Sequence, residues 1–430
     1  MIRNLIFTTF IFSCFAAHAE TIEDSHFRFQ TTAISQMHDE FSSPYAGRNS
    51  FVSVEPSATS YTLTIYLAKR FFRNTELYIN PELAGGSGLS QTLGIAGYPN
   101  GEIYRVDTAS AKWNLSRLYI QQVFDLGEET EKMDAEYNQL GGQNAVNRLT
   151  IVAGHFALND FLDQNSYSHD PRTQFFNWSL MDYGAWDYAA DTRGYTWGLL
   201  FDYNQKNWAI RYVVALLPAE ANQINFDYQI PNARGDNLEL ETRFKIAEHK
   251  GIVRFLAFSN RAHMGSYRET VGNPAYNSDI TKTRDYRTKY GFGASLEQEM
   301  SSDLGIFSRI SWNDGHEESW AFSEIDQSET FGANLKGTLW QRPNDILGSS
   351  VMVNHISSDH SAYLNSGGYG FMLGDSRLSY NPEFIWETYY SFEVVKQTFM
   401  SLDYSYVINP AYNSDRGPIS IYGFRFHYEI

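Results

Sequence analysis

Histidines beside carboxylates are the residues of this chain whose types and spacing could do chemistry. His169 precedes Asp170, and His316 precedes Glu317 and Glu318. Such pairs could pass protons. Catalysis needs groups that meet in space, however, and neighbours in a loop are not a constellation. There is no G-x-S-x-G nucleophile turn and no H-E-x-x-H metal signature. The only cysteine is Cys14, so neither disulfides nor thiolate-bound metals are expected in the mature chain, and no cofactor is expected.

The elements that must position these residues read as strands. In Ile419 to Ile430, Tyr422, Phe424, Phe426, Tyr428 and Ile430 share one face, while Gly423, Arg425, His427 and Glu429 share the other. Ile421 breaks the pattern once, on the polar side. Because strand side chains alternate with period two, such a segment suits a wall between lipid and water. The start of the chain says where that wall could stand. Arg3, the apolar stretch Leu5 to Ala17, and Ala17-His18-Ala19 have the form of a secretory leader cut after Ala19. Residues 1–19 are thus expected to be a signal peptide and 20–430 one barrel domain, with no linker between subdomains.

Composition agrees with a barrel rather than with membrane helices. Mean hydropathy is −0.40, and no apolar run of about 20 residues follows the leader. Only helices or closed barrels span membranes. The 29 Tyr, 30 Phe and 9 Trp could stock two interfacial girdles, and the formal charge of −17 argues against a nucleic-acid partner.

Alternation recurs along the chain between turn-forming residues. Candidate strands are Tyr61 to Lys69, Glu76 to Leu83, Leu115 to Phe124, Arg148 to Phe156, Tyr195 to Asn204, Trp208 to Val214, Leu238 to Ile246 and Ile252 to Phe258. Further along lie Tyr290 to Glu297, Leu304 to Trp312, Glu318 to Ile325, Phe331 to Lys336, Ile346 to Ile356, Trp386 to Val394, Met400 to Ile408 and the terminal strand. The reading is an all-β, antiparallel transmembrane barrel of about 16 strands, 16 to 18, with Phe27 to Gln36 either a further strand or a plug segment. Leu238 to Ile246 sets Glu239, Glu241, Arg243 and Lys245 on one face. A soluble sandwich would have to pair such a face in a dry core at high cost, whereas a wet lumen accepts it. By the same alternation Glu82, Arg117, Gln121, Arg211, Glu239 and Arg243 face the lumen.

The longest stretch without strand character runs from Phe156 to Gly198. It contains Asn159-Asp160, Asn165, His169-Asp170-Pro171-Arg172, Asn177-Trp178, Trp186-Asp187-Tyr188-Ala189-Ala190-Asp191 and Gly194-Tyr195-Thr196. This run resembles the carbohydrate-selective porin family (OprB). Ser43-Pro44-Tyr45, Tyr78-Ile79-Asn80-Pro81-Glu82, Gly88-Leu89-Ser90, Leu93 to Glu102, Ile408-Asn409-Pro410-Ala411-Tyr412-Asn413 and Arg416-Gly417-Pro418 extend the resemblance over nearly all of the mature chain. One departure is Ile430, where the family ends in Phe or Trp, which implies weaker recognition by the barrel assembly machinery.

The resemblance implies a passive outer-membrane channel for monosaccharides and similar polar solutes, bounded by outer-membrane lipid, either monomeric or homotrimeric. Sugars offer hydroxyls to polar side chains and C–H faces to aromatic rings. On that logic His169, Asp170, Arg172, Asp187, Asp191 and Arg193 are constriction candidates on a loop folded into the lumen, with Trp178 and Trp186 as stacking platforms. Plainer roles compete: Arg172 could pair with Asp170 or Asp191 to fix the loop on the wall, and Trp178 could simply pack. Two other functions stand beside this one, a porin without sugar preference or for acidic solutes, and more remotely a barrel hydrolase.

Overall fold

The computed structural model describes residues 23–103 and 109–430, so the expected leader and Cys14 lie outside the described residues. Among the described residues, eighteen strands form in chain order. The first seven are β1 (Ser25–His38), β2 (Ala58–Phe72), β3 (Thr75–Gly86), β4 (Lys112–Asp125), β5 (Thr130–Met133), β6 (Gly142–Ala145) and β7 (Arg148–Phe156). Next come β8 (Thr196–Asn204), β9 (Trp208–Ala215), β10 (Arg234–Ile246), β11 (His249–Met264), β12 (Asp285–Glu299) and β13 (Leu304–Asn313). The last are β14 (Gln327–Gly337), β15 (Arg342–His355), β16 (Glu383–Val395), β17 (Thr398–Ile408) and β18 (Ile419–Glu429).

All but β5 and β6 join one closed antiparallel barrel of sixteen strands, sealed where β1 pairs with β18, for example Ala33 opposite Phe426. Closure leaves no unpaired strand edge in lipid. Alternation sets the faces as expected: on β10, Leu238 and Leu240 are 49% and 42% exposed toward lipid, while Glu239 and Glu241 between them are 0% and 3% exposed.

The expected strand number is met with a different membership. Phe27 to Gln36 lies within β1, a wall strand and not a plug. Glu318 to Ile325 is not a strand. It runs inside the barrel with nearly every side chain buried, so its apolar residues pack inward rather than toward lipid. Tyr195 also stands outside the wall: β8 begins at Thr196, and Tyr195 turns inward to Glu82 and Arg117.

Tight turns join strands at one end of the barrel, such as Ala247-Glu248, where both residues take the positive φ that two-residue hairpin turns favour. Long segments cross the other end, among them 39–57, 157–195, 265–284 and 356–382. In outer-membrane barrels the short turns are periplasmic. One connection departs from this pattern: residues 126–147, at the turn end, carry the β5–β6 hairpin.

Candidate functional site

Segment 157–195 folds into the lumen, and the wall is shaped to receive it. At Gly305 a Cβ would stand 2.0 Å from the Tyr167 ring, and at Gly293 it would stand 2.5 Å from that of Tyr183. Only glycine admits those rings against the strand.

Wall carboxylates accept from the segment's backbone. Glu239 accepts from Asp163 N at 2.7 Å, Glu297 from Ser166 N at 2.6 Å, and Glu387 from Phe176 N and Asn177 N at 2.5 and 3.1 Å. Two arginines take its carbonyls and the Asp163 carboxylate. Arg309 donates to Asp163 Oδ2 at 2.8 Å and to Leu180 O at 3.1 Å; Arg425 donates to Pro171 O and Gln174 O at 2.8 and 2.7 Å. A loop buried in this way needs partners for its backbone groups, and the charged face of the strands supplies them.

The constriction candidates separate accordingly. Arg172 is bound not to Asp170 or Asp191 but to Glu102 at 2.7 Å and Glu82 at 2.9 Å, with Thr64 and Tyr66 hydroxyls each at 3.1 Å. Asp170 accepts from Arg172 N and the Thr173 hydroxyl, and Asp191 accepts from Arg193 N and Tyr195 N, so each closes its own turn. Asp187 is buried and accepts from Trp320 N and Ala321 N, both at 2.9 Å. The Arg193 guanidinium has no hydrogen bond or ion pair among the described residues.

Neither tryptophan offers an open face. Trp186 is fully buried, donates to Asn237 at 2.9 Å and packs edge-on against Tyr188. Trp178 lies between Tyr98 and Phe322. With Phe322 and Trp320, segment 318–325 supplies part of this apolar filling. Loop side chains thus pack on one another around both tryptophans inside the barrel.

The lumen-wall candidates point inward, and most are spent in pairs. Arg117 grips Asp160 through Nε and Nη2 at 2.7 and 2.6 Å. Arg211 joins Glu239 and Glu241 at 2.8 and 3.0 Å, and Arg243 joins Glu241 at 2.7 Å. Of the candidates, Gln121 and His169 line a cavity.

That space is a cavity of about 340 Å³ between the folded-in segment and the β5–β6 hairpin, against β3, β4, β7 and β8. Its size falls at the low end of small-molecule sites, ~300–1,000 Å³. Tyr119, Gln121, Glu76 and Asp202 line it from the wall, Asp160, Phe161, Gln164 and His169 from the segment, and Glu136 to Leu140 from the hairpin. Burial, with Arg309 nearby, holds the His169 imidazole well below its usual range, so it is neutral at pH 7. Glu76 and Asp202 were legible from inward register. The hairpin was not, because a short polar tract on the periplasmic side carries no hydropathy signal.

Sixteen strands, an inward-folded long loop and clustered lumen charges describe a porin, and residues 61–429 match the carbohydrate-selective porin, OprB family. The chain belongs to that family. OprB of Pseudomonas putida in its high-pH structure superposes with a TM-score of 0.70 at 14% identity, covering 95% of this chain and 94% of that one. Its low-pH structure gives 0.51 at 11% identity over 95% and 93%. The outer-membrane channel DcaP of Acinetobacter baumannii gives 0.52 at 8% identity over 94% and 97%. At such identities the likeness speaks for the fold. No curated protein matches the chain at a significant level. As an OprB-family porin the protein resides in the bacterial outer membrane, among its lipids, and serves the diffusion of sugars.

Proposed function

We propose that this OprB-family porin passes monosaccharides and similar small neutral solutes passively, by a route along the cavity between the folded-in segment and the hairpin. The observation that carries this reading is the cavity's lining. Neutral hydrogen-bonding side chains, Gln121, Asn138, Gln139, Gln164 and neutral His169, stand beside the half-buried rings of Tyr137 and Phe161, the mixture that sugar hydroxyls and C–H faces call for. Sugars therefore meet Phe161 and Tyr137 rather than Trp178 and Trp186, and Arg172, Asp187 and Asp191 act by holding the loop.

A channel needs no catalytic step, and the two histidines beside carboxylates in sequence make ordinary polar contacts: His316 pairs with Asp359 at 2.9 Å and the His169 ring bonds Gln164 at 3.2 Å. Residues 1–19 serve as a removable leader, and the assembly machinery reads β18. Swelling of liposomes holding the purified protein tests the transport reading: rapid swelling in glucose and slow swelling in a trisaccharide are expected, and swelling no faster than empty vesicles in every sugar would overturn it.

A further inference from the structure

Four carboxylates, Glu76, Glu136, Asp160 and Asp202, line the cavity, against a single guanidinium, Arg148. Three of the four are answered by arginines that do not themselves line it: Arg70 to Glu76 at 2.7 Å, Arg117 to Asp160 at 2.6 Å, and Arg211 to Asp202 at 3.5 Å. Arg148 is in turn occupied by Glu131 at 2.5 Å. Glu136 differs. It is exposed, and its carboxylate has no hydrogen bond or ion pair among the described residues; only its backbone is engaged, with Gln139.

Its neighbour is fixed. The Tyr137 ring packs on Tyr66 with centroids 4.6 Å apart, and its hydroxyl donates to Glu429 at 2.5 Å. His26 bonds the Tyr137 carbonyl at 3.0 Å, and Glu23 and Gly141 bond each other twice. The hairpin is thereby tied to both strands of the barrel seam, so Glu136 is presented by a rigid mount.

We propose, resting on the carbohydrate-porin reading, that this cavity is a pyranose subsite that discriminates by charge, admitting neutral and amino sugars and refusing uronates, with Glu136 as the residue that sets the sign. A pyranose lying along Tyr137 and Phe161 brings any carboxylate it carries toward a like charge that no arginine answers. An ammonium at the same place is attracted.

Uptake into liposomes of labelled glucose, glucosamine and glucuronate by the native protein at low salt tests this. The expected order is glucosamine and glucose well above glucuronate, by about tenfold, with the gap shrinking in high salt as screening lengths fall below ~10 Å. Glu136→Gln should narrow the glucose to glucuronate ratio and Glu136→Lys should narrow it further. Glu248→Gln, at an exposed turn on the same end, should leave it as in the native protein. Equal native uptake of glucose and glucuronate overturns the charge subsite while the porin reading stands; so does a ratio unmoved by Glu136→Gln, or one moved equally by Glu248→Gln. Uptake of none of the three overturns both.

Discussion

Arg309 of β13 meets Asp163 of the folded-in segment at 2.8 Å with neither side chain exposed by more than 2%. The same guanidinium reaches the carbonyls of Ser168 and Leu180, so one wall residue ties three points of a loop that has left the wall. Replacing Arg309 by Met leaves the buried Asp163 carboxyl without its partner and the Ser168 and Leu180 carbonyls without their donor, a loss of up to about 3–5 kcal/mol where such pairs are broken. Hydrogen exchange across 157–195 should quicken in Arg309→Met while the strands keep their protection; unchanged exchange in the segment would show that the other anchors suffice.

Arg172 is the second clamp, and its fork is what matters. Glu82 and Glu102 take separate nitrogens of one planar group, together with the hydroxyls of Thr64 and Tyr66. Lysine keeps the charge but not the fork. Single-channel recordings of Arg172→Lys should show larger or noisier current steps than the native protein, and steps of native size and quietness would count against the clamp.

The assignment of faces predicts opposite outcomes for two substitutions at one residue. Leu240, near the middle of β10, faces lipid, and arginine there should cost about 2–4 kcal/mol. Leu240→Phe should cost little. Urea titrations of the protein folded in lipid vesicles read both, and equal stability of the arginine and phenylalanine variants would place Leu240 elsewhere.

Ile430 ends the chain with an aliphatic side chain 46% exposed on the lipid side. If β18 is what the assembly machinery reads, Ile430→Phe should raise the folded, heat-modifiable fraction in outer membranes at matched expression. No change would remove the terminal side chain from that recognition.

Much of the wall could be read in advance because lipid imposes a simple rule, apolar outward at every second residue. Tyr422 and Phe424 or Leu238 and Leu240 could not have pointed elsewhere. The rule fails inside, where both faces of a segment are buried. Glu318 to Ile325 alternates as a strand does, yet Trp320 and Phe322 pack on the folded-in segment and Glu324 accepts from the backbone of Met372 and Leu373. Phe27 to Gln36 had the pattern of a wall strand, but only its pairing with β18 shows that it closes the barrel.

The loop's importance was legible, and its division of labour was not. Charged residues in a porin loop invite assignment to the pore, but a loop of this length inside a barrel must first satisfy its own backbone. Asp170 and Asp191 are consumed by that need, Asp187 by the backbone of Trp320 and Ala321, and Arg172 finds its carboxylates 70 and 90 residues away in sequence, beyond any local pattern.

The central claim is that segment 157–195, held by Arg309 and Arg172, narrows a wide barrel to the size of a sugar. It is tested most directly by liposome swelling rates for a mono-, di- and trisaccharide series, comparing the native protein with the double variant Arg309→Met, Arg172→Met. The native rates should fall steeply beyond the monosaccharide, and the variant should pass the larger sugars with a much shallower decline. Identical size dependence in the two proteins would contradict the account.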